Sequence, residues 1–223
     1  MAFRFSNRVA AGQALAAQMA RLKGCDGVVL GLPRGGVPVA AEVARALGLP
    51  LSVIAVRKIG VPGNPELAAA AIGGPMGESL ARNEALLRDF GLDTAGLERL
   101  ATRERAELAR RHAMWGSQAL GPMLKGKTAI LIDDGIATGA TMRAAIAQVR
   151  LHHPARVVVA APVAAPDSLA DIARLADEVI CLSQPDPFMA VGAHYADFPQ
   201  VTDDEVSTLL RAALSRPVRP IIG

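Results

Sequence analysis

The chain has 223 residues, enough for one sizeable α/β domain with its own core. Hydrophobic residues make up 51% of it, which excludes a disordered chain, and aromatic residues only 3%, which argues against a surface for single-stranded nucleic acid. The net charge of +3, from 24 basic and 21 acidic side chains, is too small to require a polyanionic partner but suits a small phosphorylated ligand.

Targeting signals are not evident in the sequence. The N-terminal stretch MAFRFSNR lacks the apolar core of a signal peptide, and no apolar run is long enough to span a membrane. Cys25 and Cys181 lie far apart, without the spacing of a metal or redox motif, which favours reduced structural thiols. We therefore expect a cytoplasmic protein with no membrane or nucleic-acid partner.

Apolar runs alternate with helical patterns along most of the chain. Strands are predicted over 27–32, 51–56, 129–132, 157–161 and 178–182. Helices are predicted from Ser6 or Asn7, over 37–47, over 142–151, from Asp167 or Ser168, and from a capping box at Thr202. This alternation predicts an α/β fold with a doubly wound parallel sheet and right-handed crossovers.

The middle of the chain departs from that alternation. Arg57 and Lys58 precede the sequence IGVPGNPE (59–66), whose two prolines and two glycines predict a loop. A weaker strand is predicted over 67–72, and the pattern over 82–114 is helical and charged. Because glutamates are interleaved with its arginines, we interpret this segment as a solvated or dimer-facing helix rather than a nucleic-acid surface.

The sequence ILIDDGIATGAT (130–141) is the most informative stretch. Asp133 and Asp134 follow a buried strand, a turn of small residues comes next, and a helix opens near Thr141. In open α/β sheets, ligands bind beyond the carboxyl end of a strand, against the next helix N-terminus. The small residues allow backbone N–H groups to form an anion nest, while the two carboxylates suit a diol or a hydrated Mg²⁺. The stretch therefore predicts a site for a ribose 5-phosphate.

A second loop follows the first strand in the same way. Arg34 supplies a forked cation, and Gly35 and Gly36 allow the backbone to approach an anion closely. Taken alone, this loop is better explained as a strand-to-helix turn with an exposed arginine. Its position at a strand end, like that of the acid pair, favours a second anion site.

The stretch 130–141 resembles the motif with which type I phosphoribosyltransferases bind 5-phosphoribosyl 1-pyrophosphate (PRPP): an apolar strand, two acids, a spacer, then Thr-Gly-x-Thr. The resemblance implies that Asp133 and Asp134 hold the ribose hydroxyls and Mg²⁺, directly or through water. It also implies that the 5-phosphate binds to Ala137, Thr138, Gly139, Ala140 and Thr141.

The Arg34 loop resembles the pyrophosphate loop of the same family, most closely the Ser-Arg-Gly-Gly form of xanthine- and guanine-type members. The resemblance implies pyrophosphate contacts from Arg34, Gly35 and Gly36. Arg57 and Lys58 stand where type I members carry a mobile loop that closes over PRPP, which implies that they also contact pyrophosphate. Arg34, Lys58 and the acid pair are then the expected catalytic residues.

The acceptor end is the least defined part of the pattern. Residues 185–197 are loosely similar to the base-binding segment of hypoxanthine- and guanine-type members, where Phe188 or Tyr195 would supply a ring face. A buried hydrophobic anchor explains these rings equally well. Ala137 stands where purine-using members place a third carboxylate, as in uracil-type members, so the acceptor base stays open.

The resemblance implies one phosphoribosyltransferase-like domain over 1–223, with a core at 27–182, a small hood from 1–24 and 183–223, and a helical insertion at 82–120. The expected function is transfer of 5-phosphoribosyl from PRPP to a small nitrogenous base, with release of pyrophosphate, in nucleotide metabolism. A homodimer is expected. The alternative is a non-catalytic regulator that senses PRPP or nucleotides. A hydrolase would need a water-activating base, which the sequence does not identify.

Overall fold

The computed structural model describes residues 4–61, 64–73, 79–115 and 123–215. Its strands are β1 (Gly27–Gly31), β2 (Leu51–Val53), β3 (Val56–Val61), β4 (Asn64–Gly73), β5 (Ser79–Arg82), β6 (Thr128–Ile132), β7 (Arg156–Val163) and β8 (Glu178–Ser183). Its α-helices are α1 (Arg8–Gln18), α2 (Gly36–Leu47), α3 (Glu84–Asp89), α4 (Thr94–Trp115), α5 (Ala140–Arg150), α6 (Pro166–Ala173) and α7 (Asp203–Leu214).

A five-stranded parallel sheet forms the centre, in the order β2-β1-β6-β7-β8. Its middle strands are apolar on both faces, because helices cover both sides. On one side Val29 and Val158 pack with α1 and α2, and on the other Val28 and Val159 pack with α5 and α6. The predicted doubly wound α/β fold is confirmed.

The neighbouring strands β1 and β6 run in parallel register from the pair Gly27 and Thr128 to the pair Gly31 and Ile132. Their carboxyl ends therefore lie at the same edge of the sheet. The loop that follows β1 and the acid pair that follows β6 are side by side as a direct result.

The predicted loop over 59–66 is wrong in its described part, and the predicted strand over 51–56 divides. Val56 begins β3, which pairs antiparallel with β4 and, through it, with β5 in a separate three-stranded sheet. The register shifts on both sides of Gly60, as in a β-bulge, so a glycine here bends a strand without ending it. Residues 62–63 lie outside the described part of the chain.

The hairpin β3–β4 lies against α5, and α4 contacts both the hairpin and α7. Gln148 is buried on α5, and its Nε2 donates a hydrogen bond to the carbonyl of Ala71. At the other end of α4, Ser207 Oγ donates to the Met114 carbonyl at 3.1 Å. The predicted helical pattern is confirmed over Glu84–Asp89 and Thr94–Trp115, and α4 connects the hairpin layer to the last helix.

Helix starts follow the predicted caps with one exception. Asn7 caps α1 and the capping box at Thr202 opens α7, as predicted. The expected start at Asp167 or Ser168 is wrong, because α6 begins at Pro166, a residue well suited to a first helical position. None of the helices in the described ranges has the length and apolar character needed to cross a bilayer.

Candidate active site

The glycine loop after β1 lies directly against the acid pair after β6. A Cβ atom added to Gly35 would stand 2.0 Å from Oδ2 of Asp134, and one added to Gly36 would stand 2.6 Å from the Ile132 carbonyl oxygen. Both distances are far below van der Waals contact, so glycine is required at these two positions. The structure thus brings together the two loops that the sequence singled out separately.

Arg8 of α1 also reaches the acid pair, and the sequence analysis missed it. Its Nε donates to Asp134 Oδ2 at 2.7 Å, and its Nη1 donates to the Pro199 carbonyl at 2.7 Å. The guanidinium lies 3.7 Å from the centre of the Phe198 ring. Arg8 is 9% exposed, so this is a buried ion pair with a hydrogen-bonded and stacked cation.

Burial raises the pKa of Asp133 well above its usual range, and the neighbouring charge of Asp134 raises it further. The Asp134 N–H donates to Asp133 Oδ1 at 2.9 Å and opposes that shift only in part. Because its charged form is destabilised, this carboxyl group is stabilised by a bound cation or by a hydrogen bond from a hydroxyl group. The acid pair is therefore electrostatically suited to Mg²⁺ or to ribose hydroxyl groups.

In the described residues, no group of three or more His, Cys, Asp or Glu side chains is arranged around a metal position. The two carboxyl groups of the acid pair fit Mg²⁺, which is usually held by one or two carboxylates, with waters and substrate oxygens completing its shell. Asp134 Oδ2 accepts from Arg8 and Asp133 Oδ1 accepts from the Asp134 N–H, so Asp133 Oδ2 and Asp134 Oδ1 are the carboxylate oxygens without a hydrogen bond from Arg8 or that N–H.

Two carbonyl groups of the predicted 5-phosphate loop are bound by side chains. Ser168 Oγ donates to the Ala137 carbonyl at 2.6 Å, and Arg143 Nη1 donates to the Thr138 carbonyl at 3.0 Å. In trans peptides the following N–H groups point the opposite way, away from these partners. Gly139 has a φ of +71°, which a residue with a side chain rarely adopts. Arg143 thus supports the loop from the side opposite these N–H groups, a contact that the sequence analysis missed.

Two further predicted phosphate contacts lie where the loop becomes helix. Ala140 is the first residue of α5, and its N–H approaches Thr138 Oγ1 at 3.4 Å. Thr141 is exposed on the first turn. All five residues predicted to hold the 5-phosphate thus occupy one loop and helix start.

A cavity of about 540 Å³ opens over the acid pair. Arg34 lines this cavity, and the Nη1 atom of Arg34 lies 3.9 Å from Oδ2 of Asp203 in α7. The cavity is lined by Arg8, Pro33, Arg34, Gly35, Asp133, Asp134, Val191, Phe198, Pro199, Gln200 and Val201. One wall is therefore the Arg34 loop with the acids, and another is the segment 198–201.

Arg57 and Lys58 do not lie in that cavity. They line a separate cleft of about 390 Å³ beside the hairpin, together with Thr141 of α5. Arg57 Nε donates to Oε2 of Glu104 in α4 at 2.6 Å, which forms an ion pair at the mouth of the cleft. The predicted grouping of these two cations with Arg34 in one pyrophosphate site is therefore absent from the described arrangement.

The two rings predicted for acceptor binding have different surroundings. Tyr195 is 4% exposed, packs against Phe5 and Phe198, and donates its hydroxyl to the Asp134 carbonyl at 2.6 Å. Burial raises its pKa, so the phenol stays protonated. The Tyr195 ring has no exposed face for a base, so it is a buried hydrophobic anchor, the second of the two explanations offered by the sequence. Phe188 is half-buried and stacks on His194, with ring centres 5.5 Å apart.

Comparison with known proteins agrees with this arrangement. Residues 5–197 match the sequence model of the family described as phosphoribosyl transferase domain. The chain belongs to that family. The match takes in Arg8, the Arg34 loop, the acid pair and Tyr195, so every loop around the 540 Å³ cavity except the segment 198–201 lies inside the phosphoribosyl transferase domain.

Relatives support the same assignment. Two Mycobacterium tuberculosis proteins, provisionally named as phosphoribosyl transferases Rv0571c and MT0597, are 46% identical over 209 residues, which is 94% of this chain. The chain spans about half their length, 47%. The crystal structure of TT1426 from Thermus thermophilus is 46% identical, with a TM-score of 0.83, and the match covers 93% of this chain and 98% of that one.

Proposed function

We propose that the protein transfers the 5-phosphoribosyl group of PRPP to a small nitrogenous base and releases pyrophosphate. The observation that carries the proposal is the meeting of an acid pair and a cationic glycine loop at one cavity. The acid pair after β6 and the Arg34–Gly36 loop after β1 are in direct contact below a space of about 540 Å³. The same cavity is proposed to take the acceptor beside the ribose.

Each part of PRPP has a proposed binding element. The loop 137–141 holds the 5-phosphate through outward N–H groups and the dipole of α5. Asp133 and Asp134 hold the ribose hydroxyls. Arg34, Gly35 and Gly36 hold the pyrophosphate, with the backbone close to the anion and the guanidinium beside it.

In the reaction, the bond from ribose C1 to the pyrophosphate oxygen breaks and a bond from C1 to the acceptor nitrogen forms. Positive charge develops on the ribose while negative charge grows on the leaving pyrophosphate. The protein's task is to align the reactants and stabilise these charges. Mg²⁺, when bound, offsets charge on the pyrophosphate. Arg34 supplies fixed positive charge at the leaving group, and Asp133 and Asp134 supply negative charge beside the ribose.

The finer features of this proposal rest on the sequence. The acceptor is a small base whose identity stays open, because Ala137 takes the place of a purine-reading carboxylate. Phe188 remains a proposed acceptor contact, whereas the buried Tyr195 supports the wall of the cavity through Asp134. Mg²⁺ dependence, a homodimer, a cytoplasmic location, a role in nucleotide metabolism, and the division into core, hood and insertion stay predictions.

One observation favours a regulator that senses PRPP without turnover. Arg57 and Lys58 line a different cavity from Arg34, so the leaving-group end has one arginine in the described arrangement. An enzyme needs strong stabilisation of departing pyrophosphate, whereas a sensor does not. Release of pyrophosphate from PRPP in the presence of pooled nucleobases separates these two functions.

Calorimetry of PRPP with Mg²⁺ tests the proposed site first. Replacing Asp133 and Asp134 by Asn keeps their size and removes both charges. Hydrogen bonds to charged groups contribute about 1.5–3 kcal/mol each, so we expect PRPP affinity to fall at least about tenfold. An unchanged dissociation constant in this double variant would refute the assignment. If the wild type binds PRPP tightly but releases no pyrophosphate, the protein is a sensor of PRPP and not a transferase.

A further inference from the structure

Arg8 is a buried cation at the acid pair, and no role has been assigned to it so far. It is 9% exposed, and its three hydrogen-bond and ring partners, Asp134, Pro199 and Phe198, all line the 540 Å³ cavity. Two of these partners, Phe198 and the Pro199 carbonyl, belong to one wall, and the third, Asp134, belongs to the other. The Arg8 side chain thus connects the segment 198–201 to an acid that is proposed to hold the ribose.

The contact with Asp134 engages only one carboxylate oxygen. Arg8 Nε donates to Oδ2, and the carboxylate cannot rotate freely because Gly35 closes against the same oxygen. Oδ1 makes no hydrogen bond with Arg8, so it is the oxygen that this arrangement turns toward Asp133 or a ligand. A fixed carboxylate binds a diol better than a rotating one, because its orientation is already set before the ligand arrives.

The charge of Arg8 acts in the same direction. Asp133 and Asp134 are adjacent, and a polyanion such as PRPP must approach both. Arg8 offsets one of these two negative charges from a desolvated position, where charge interactions are screened less than at the surface. Loss of Arg8 would leave an unpaired buried carboxylate facing the phosphates.

We propose that Arg8 is a positioning residue, which holds Asp134 Oδ2 so that Oδ1 faces the ribose hydroxyls and which couples the wall 198–201 to the ribose end. This inference rests on the proposed function. The competing explanation is purely structural. Arg8 would then attach α1 to the segment at Pro199, and its effect on ligand binding would be independent of Asp134.

A double-mutant cycle separates these explanations, with the dissociation constant of PRPP and Mg²⁺ measured by calorimetry. The variants are Arg8→Met, Asp134→Asn and the two combined. If Arg8 acts through Asp134, Arg8→Met weakens PRPP binding on the order of tenfold in the wild type and has little further effect in Asp134→Asn. A tenfold loss that persists in Asp134→Asn overturns the proposal.

Arg21→Met is the matched control. Arg21 is another arginine from the N-terminal part of the chain, and it pairs with Glu178, but its side chain is 58% exposed and it lies outside the cavity. The same chemical change there is expected to leave PRPP affinity unchanged. Thermal unfolding of each variant verifies that the chain is folded before binding is measured.

A second variant keeps the test decisive if Arg8→Met does not fold. Phe198→Leu removes the ring under the guanidinium but keeps every charge, and we expect a smaller loss of PRPP affinity that also disappears in the Asp134→Asn background. Arg8→Lys keeps the charge and should restore part of the affinity. No PRPP binding by the wild type would refute the proposed function. Binding that Asp134→Asn weakens and Arg8→Met leaves intact would refute only the role of Arg8.

Discussion

The two cavities near the predicted site are built in different ways. The 540 Å³ cavity is bounded by the ends of β1 and β6, by glycine backbone in contact with carboxylates, and by the buried pair of Arg8 and Asp134. The 390 Å³ cleft is bounded by the β3–β4 hairpin and by α4. Arg57 and Glu104 form an ion pair there, and their side chains are 37% and 24% exposed.

This difference predicts different responses to a ligand. Close-packed backbone and a buried ion pair hold the acid-pair cavity in one arrangement, so its geometry is preorganised. A partly exposed ion pair contributes only about 0.2–1 kcal/mol, so the pair of Arg57 and Glu104 fixes the charged side chains of the hairpin cleft less firmly. We therefore expect substitutions at the first cavity to abolish function and substitutions at the second to adjust it.

The largest effect is expected for Arg34→Ala. Arg34 is proposed to stabilise the charge that grows on departing pyrophosphate, so its loss should lower turnover more than it weakens PRPP binding. Loss of one preorganised donor of this kind raises the barrier by roughly 3–4 kcal/mol, a reduction of about 10²–10³ in rate. Pyrophosphate release and calorimetry measure the two quantities separately.

Ribose 5-phosphate is the control ligand for Arg34→Ala, because it has no pyrophosphate and should bind as it does to the wild type. If Arg34→Ala loses ribose 5-phosphate as severely as PRPP, the proposed division into two anion sites is wrong. Lys58→Ala extends the comparison to the other cavity. A loss of ribose 5-phosphate in that variant would move Lys58 from the pyrophosphate end to the 5-phosphate end, next to Thr141.

A smaller effect is expected for Gly35→Ala. The added methyl group would meet Asp134 Oδ2 at 2.0 Å and must displace the carboxylate from Arg8. Overpacking of this kind costs about 1–3 kcal/mol. We expect lower thermal stability together with weaker PRPP binding. Gly48→Ala is the control: its φ of +71° makes the substitution strained, but nothing lies within 4 Å of its added methyl group. Gly48→Ala should lower thermal stability and leave PRPP affinity unchanged.

Local sequence patterns predicted the parts of this site that depend on neighbouring residues. An apolar strand, two acids and a small-residue turn fix one strand end, and strand pairing then places Asp134 beside Gly35. Arg8 lies 126 positions from Asp134, and nothing in a helix-start pattern distinguishes it from a solvated arginine. The hairpin was missed because the two prolines and two glycines of 59–66 predict a loop, although a bulge at Gly60 lets a strand continue through it.

The charge state of Asp133 gives a prediction on stability. In the folded protein burial raises its pKa above the ordinary 3.8, so the folded state keeps a proton that the unfolded state releases. Stability contributed by this group therefore falls as the pH rises from 3.8 through the raised pKa, and the full cost is present above it. Each unit of raised pKa corresponds to about 1.4 kcal/mol. Asp133→Asn should thus stabilise the protein at about pH 7, measured by urea unfolding, and lose that advantage near about pH 4.

Asp177→Asn is the control with the opposite sign. A hydrogen bond from Arg150 lowers the pKa of Asp177, and one from the Val157 N–H lowers it further. That variant should be less stable than the wild type at neutral pH, with the difference shrinking as the pH falls. If Asp133→Asn is also destabilising at neutral pH, its carboxyl group is better accommodated in the folded state than its surroundings indicate.

The smallest effect is expected for Glu104→Gln in the hairpin cleft. The substitution removes the charge that pairs with Arg57, and because the pair is partly exposed, unfolding stability should fall by no more than about 1 kcal/mol. If Arg57 serves the ligand, its freed charge should tighten binding of PRPP by less than about tenfold, and more so at low salt. Glu98→Gln on the same helix breaks a comparable pair with Arg105 outside the cleft and should leave PRPP affinity unchanged. Equal affinities in both variants would show that the cleft lies outside the PRPP site.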